Sequence, residues 1–196
     1  MTFTGTTNLH RLITVDLVTG FIKGYPTLQR DLSYMKGMFH DDAAYDALLA
    51  KGDVKMYDFY DLGIPRIATE LAVGTSIVYP GKVGDEYFMT KGHFHEALEC
   101  TEVYYCLSGH GYMLMESPEG EWEVGEFIPG QAVYVPARYA HRSINVSADE
   151  PLKTFFVFRG DAGHNYGAIE RKGFRKLMVE RDGAPAIVDN PKWGRP

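Results

Sequence analysis

The sequence is poor in cysteine, in positive charge and in long apolar runs, and each shortage removes a class of explanation. Two cysteines, Cys100 and Cys106, in 196 residues cannot form a disulfide framework, so they read as small buried strand residues in a reducing compartment. The 20 lysines and arginines stand against 26 aspartates and glutamates, a net charge of −6. That balance opposes nucleic acids and anionic membrane surfaces, which reward clustered positive charge, and neither is expected as a partner. No window approaches the about 18 consecutive apolar residues of a membrane span. Met1–Val15 has no basic region leading into an apolar stretch, so no export signal is read there and a cytoplasmic protein is expected. Repeats, low-complexity tracts and linker-like segments are missing too, and the chain reads as one structural unit.

What is present is a 45% hydrophobic chain, long enough to bury a core as a single domain. Leu12–Val15 and Phe21-Ile22, separated by Asp16–Gly20, read as a small hairpin. A helix follows, capped by Asp41 or Asp42, with Ala44, Tyr45, Leu48 and Leu49 at helical spacing until Gly52. Residues 1–54 are therefore expected to form an N-terminal arm, containing that short helix, on a domain spanning 55–196.

From Lys55 the pattern changes to short runs rich in Val, Ile, Tyr, Phe and Thr. They are Lys55–Tyr60, Ile67–Tyr79, Glu86–Thr90, Glu102–Leu107, Gly111–Glu116, Glu121–Val124, Ala132–Val135, His141–Asn145 and Leu152–Phe158. Gly81, Gly84, Gly109, Pro118-Glu119-Gly120 and Pro129-Gly130 punctuate them as turns. Strands at this spacing predict an all-β sandwich or barrel, a pattern that an immunoglobulin-like sandwich and a jelly roll share.

Against this background one constellation stands out: His93-Phe94-His95, then Glu102, then His141. Three imidazoles and a carboxylate suit a divalent transition metal such as Fe2+, Mn2+, Ni2+ or Zn2+ better than Mg2+ or Ca2+, which prefer oxygen ligands. In a strand, residues i and i+2 share a face, so His93 and His95 can grip one ion. Each piece alone is common by chance. The order is more specific, with Gly109 after Glu102, and Gly130 and Pro136 before His141 and Asn145.

This order resembles the two motifs of the cupin superfamily, and so implies a jelly-roll barrel with a metal on three His and one Glu. Two departures are visible. Six residues separate His95 from Glu102, a longer gap than in most cupins, and Arg138 stands where the second motif usually has Gly. The longer gap points to a subfamily, the cupin-type glucose-6-phosphate isomerases. Tyr79–Gly84, Thr90–His95, Glu102–Tyr104, Tyr134–Pro136, Ala140–Arg142, Asp161–His164, Tyr166-Gly167 and Val188–Pro191 with Trp193 carry that resemblance.

The resemblance implies a metal-dependent aldose–ketose isomerase that interconverts glucose 6-phosphate and fructose 6-phosphate in glycolysis or gluconeogenesis, through an enediol or a hydride shift. It implies Fe2+ on His93, His95, Glu102 and His141. Glu102 is then also the base between C1 and C2, assisted by His164 and Tyr166. A carboxylate held on a cation is a poorer base, so Glu102 is equally read as a ligand alone. Ser76, Thr90 and Gly92 are read as phosphate or backbone anchors, and Tyr104 as a sugar contact. Phe158 falls where relatives commonly have a Tyr. The resemblance further implies a homodimer. A cupin iron oxygenase and a non-catalytic sugar-phosphate-binding cupin remain as alternatives. His10, His40 and His110 read as solvated.

Overall fold

The computed structural model describes residues 12–194. Among them, the sequence from Leu28 onward folds into strands β1 (Leu28–Asp31), β2 (Lys55–Asp61), β3 (Leu71–Val78), β4 (Lys82–Val83), β5 (Glu86–Tyr87), β6 (Glu102–Ser108) and β7 (Gly111–Glu116). They continue as β8 (Trp122–Phe127), β9 (Ala132–Val135), β10 (Ala140–Asn145), β11 (Leu152–Arg159), β12 (Lys176–Arg181) and β13 (Ala184–Asp189). The helices are α1 (Asp42–Leu49) and α2 (Gly167–Lys172), with one 3-10 turn at Leu32–Met35. None is long and apolar enough to cross a membrane.

The strand order decides between the two architectures left open above. One sheet runs β1-β2-β3-β11-β6-β9 and a second β10-β7-β8. A bridge between Met89 and Ile144 brings the segment after β5 alongside β10. The order β3-β11-β6-β9, with β10-β7-β8 extended by the segment after β5, is that of a jelly roll: the pairs are antiparallel and the last strand of the barrel, β11, inserts between β3 and β6.

The absence of clean alternation in β3 and β11 has a physical cause. Seven of the eight β3 residues are buried, because both faces of the sheet are covered. The inner face packs into the barrel core, and Val73 and Ile77 on the outer face pack with Ile13, Val15 and Ile22 of the N-terminal hairpin. That hairpin is closed by a Val15–Ile22 bridge. Phe59 of β2 and Phe156 of β11 stack over the intervening β3 on the inner face at 5.1 Å. Gly74 makes room for them, since a Cβ there would sit 2.5 Å from the Phe156 ring.

Several expected boundaries move. The run Ile67–Tyr79 becomes a loop followed by β3, and Glu86–Thr90 shrinks to the two residues of β5. Helix α1 starts where its cap predicts, with the Asp41 carboxylate accepting the Ala44 N–H at 2.9 Å. The sequence reading omitted β1, β4, α2 and the hairpin β12–β13. Its turn, Asp182-Gly183, has φ of 53° and 78°, the left-handed pair that an Asp-Gly turn supplies. Arg138, where a glycine is usual, has φ 71°; the chain keeps the left-handed turn without the residue that takes it at least cost.

His40 corrects an expectation. It is not simply solvated: its Nδ1 lies 2.9 Å from Glu86 and its Nε2 3.3 Å from Asp85. His110 is exposed beside Glu126, and His10 lies outside the described residues.

Candidate active site

The two histidines of the first motif do not sit in a regular strand, as the sequence reading had them. Residues after Gly92 are held extended between two neighbours, by a His93–His141 bridge on one side and a Phe94–Asn165 bridge on the other. The i, i+2 argument survives because the backbone is extended, and both imidazoles reach the same cluster. Glu102 opens β6 opposite Val135 and Phe158. His141 is the second residue of β10, opposite Met115.

One ligand atom from each of His93, His95, Glu102 and His141 lies within 4.8 Å of the others. His95, Glu102 and His141 are buried. Glu102 Oε2 is 3.1 Å from His95 Nε2 and 3.0 Å from His141 Nε2. The outer ring nitrogens are already used: His95 Nδ1 is 3.2 Å from the Cys100 carbonyl and His141 Nδ1 3.4 Å from the Tyr139 carbonyl. Donation there fixes the tautomer that turns a bare Nε2 inward. The Nε2 atoms of His93 and His141 have no hydrogen-bond partner. Lone pairs and a carboxylate facing one another without a donor are the arrangement a cation satisfies, and this donor set fits a divalent transition metal.

The electrostatics agree. Burial works to raise the Glu102 pKa, but the His141 and His95 imidazoles outweigh it and hold it down to about 2. Burial, then the neighbouring His141, His164 and His95, push His93 well below its ordinary value. The two shifts favour an ionised Glu102 beside a neutral His93.

The remaining candidates surround one pocket. Ser76, Thr90, Gly92, Tyr104, His164 and Tyr166 all line it, together with His93, Glu102 and His141. Tyr104 meets His141 edge-on at 5.7 Å. His164 lies 4.4 Å from the His93 ring and stacks on Tyr166 at 5.9 Å. Burial pushes His164 down to about 4 and Tyr166 up to about 12. The Ser76 hydroxyl is buried without a partner. Thr90 Oγ1 accepts the Ser143 N–H at 3.0 Å, which leaves its own proton free to donate into the pocket.

Gly92 is required for a reason other than ligand approach alone. Its φ is +78°, and a Cβ would meet Phe174 at 2.7 Å and both Arg142 and the His141 carbonyl at 3.0 Å. Behind it, Arg142 is buried, donates to the Lys91 carbonyl at 2.7 Å and stacks on Phe174 at 4.2 Å. The pocket also gains Arg30, Tyr57, Arg66 and Ser143, which the sequence reading did not single out. Of these only Tyr57 carried a signal, its alternation with Phe59 along β2.

Sequence comparison is decisive at this point. The family model described as glucose-6-phosphate isomerase (GPI) matches residues 29–192. The chain belongs to this family. A glucose-6-phosphate isomerase of Thermococcus kodakarensis is 45% identical over 179 residues, 91% of this chain and 94% of the relative. Relatives of the same name from Thermococcus litoralis and Pyrococcus furiosus are each 43% identical over 181 residues, 92% of this chain and 95% of theirs. The family match thus covers the arm from β1 onward as well as the barrel.

Proposed function

We propose that the chain interconverts glucose 6-phosphate and fructose 6-phosphate with one divalent transition metal per chain, Fe2+ first and Mn2+, Ni2+ or Zn2+ as substitutes. The observation that carries the metal dependence is the convergence of three imidazoles and one carboxylate, two of the nitrogens unpartnered, on the wall of a hydroxyl-lined pocket. His93, His95, Glu102 and His141 would hold the ion, which when bound supplies Lewis acidity to the sugar oxygens at C1 and C2.

The chain's own residues do the rest. Ser76 and Thr90 offer hydroxyl donors to the phosphate, and the Gly92 backbone lies beside them. Neutral His164 accepts the proton of the anomeric hydroxyl, whose oxygen becomes the carbonyl as the bond from the anomeric carbon to the ring oxygen breaks, and the Tyr166 phenol, kept protonated by burial, donates its proton to that ring oxygen. Tyr104, packed edge-on to His141, bounds the sugar beside the cluster. Glu102, ionised and shared between two imidazoles, serves as a ligand in the resting site rather than as a base.

A homodimer belongs to the same proposal. The outer face of β6 and β9 presents Val103, Tyr105 and Tyr134, 37%, 43% and 58% exposed, an apolar patch suited to a second copy.

The test is a coupled assay for conversion of fructose 6-phosphate, run with chelator and then with single metals added back. Activity lost to chelator and restored by one of the four ions is the expected result. No conversion by metal-loaded protein overturns the reading. Oxygen uptake would then assign an oxygenase, and phosphate-ester binding without turnover a binding protein.

A further inference from the structure

The charge of the pocket runs against the charge of the chain. In a protein of net charge −6, the pocket wall carries Arg30, Arg66 and Lys91 against a single carboxylate, Glu102. Lys91 is answered by Glu170, 2.7 Å away. Arg66 is answered only at the surface, by Asp61 at 3.1 Å, with its own side chain 64% exposed. Arg30 has no carboxylate partner among the described residues; its guanidinium donates to the Gln29 carbonyl at 3.0 Å and lies 4.6 Å over the Tyr34 ring.

The register shows how these cations reach the site. Arg30 pairs with Tyr57 and Leu28 with Phe59, while Phe59 pairs with Ser76. Paired residues share a face, so Arg30 lies on the inner face of the sheet, two strands across and one row along from the unpartnered Ser76 hydroxyl. Arg66 follows the far end of β2. The strand from Tyr57 to Asp61 separates the two positions by roughly 13 Å, so they mark two points on the rim. An exposed Arg66–Asp61 pair adds little to folding, so stability does not account for a cation at this place.

We propose that Arg30 and Arg66 form an anion-recognising rim that draws a phosphate dianion to the pocket. Arg30, its charge uncompensated, then holds the phosphate beside the hydroxyls of Ser76 and Thr90. The inference rests on the sugar-phosphate reading above and adds the charge that neutral hydroxyls cannot supply. It makes the pocket discriminate against unphosphorylated hexoses and makes capture sensitive to ionic strength.

The test uses the full metal-loaded chain with Arg30→Gln, Arg66→Gln and Arg30→Lys. Steady-state kinetics with fructose 6-phosphate are measured across ionic strengths, and inorganic phosphate is titrated calorimetrically. For Arg30→Gln, kcat/KM is expected to fall about tenfold or more, with the loss in KM, and phosphate affinity weakens in parallel. Arg66→Gln flattens the salt dependence of kcat/KM, and Arg30→Lys restores part of the loss. Unchanged KM, phosphate affinity and salt dependence in both glutamine variants overturn the inference. So does a loss in Arg30→Gln that tracks a lower melting temperature and is not relieved by lysine. The phosphate titration needs no turnover. A parent protein that binds phosphate through the arginines but does not isomerise sinks the isomerase reading alone; one that isomerises with indifferent arginines sinks the rim alone.

Discussion

His93 and His141 are joined by both hydrogen bonds of an antiparallel bridge, His93 N–H to the His141 carbonyl at 3.3 Å and His141 N–H to the His93 carbonyl at 3.1 Å. Their rings meet at 4.6 Å. The backbone thus fixes two of the proposed ligands, from distant parts of the chain, independently of any ion, and their Nε2 atoms are held in place without hydrogen-bond partners.

On the proposed metal-binding reading, that arrangement favours the metal-bound state over the metal-free fold. An unpartnered buried polar group costs about 1–3 kcal/mol, so His93→Leu is expected to be at least as stable as the parent after chelation. Added metal should raise the melting temperature of the parent and leave that of His93→Leu unmoved. Scanning calorimetry with and without metal reads both; a metal-free variant that melts well below the metal-free parent contradicts the expectation.

Glu102 separates two roles. With its pKa held down to about 2 by the two imidazoles, it is expected to act as a ligand, and the activity of Glu102→Gln should fall in proportion to its metal content. General acid–base catalysis contributes typically about 10²–10⁴-fold. A Glu102→Gln protein that keeps its metal yet loses activity by such a factor would make Glu102 the base. Metal analysis beside turnover decides between them.

Phe158 faces the cluster, its ring 5.8 Å from His95 and 5.7 Å from His164. Phe158→Tyr is expected to lower KM for fructose 6-phosphate by up to about tenfold, the equivalent of one added hydrogen bond. Its melting temperature should change little. A KM equal to the parent's places the new hydroxyl away from substrate.

His40 links folding to pH. Its pKa is raised from 6.5, chiefly by its hydrogen bond to Glu86, with burial opposing and the charges of Glu86, Asp85 and Asp41 adding. A raised folded pKa means that the folded state holds the proton more tightly, so this stabilisation is complete below about pH 6.5 and is lost as pH rises through the higher folded value. The melting temperature of the parent relative to His40→Gln should therefore narrow as pH is raised above 6.5. A difference that stays constant across that range rules the linkage out.

Much of the barrel was readable because its strands obey local rules: Gly111–Glu116 and Ala132–Val135 have the expected limits, bounded by turns whose residues are special. The weakest readings were at segments whose structure depends on a partner. Glu86–Thr90 is mostly not ladder-paired, because only Met89 bridges to β10. Strand β1 is four residues long and exists through its pairing with β2. The Asp182-Gly183 turn of the last hairpin, by contrast, is a local signal legible in the sequence.

By itself the sequence determined the donor chemistry: which four side chains can hold an ion, which hydroxyls and rings accompany them, and a β-strand alternation that keeps them on one face. Only the tertiary structure decided that the sheets close as a jelly roll, since strand order depends on pairing between residues far apart in the chain. It also decided the charge of the pocket. Arg30 and Arg66 reach the pocket through an edge strand and a loop whose local sequence has no metal or phosphate pattern, and no spacing rule places a residue of β1 in one pocket with Ser76 of β3. Two intervening strand pairings do that.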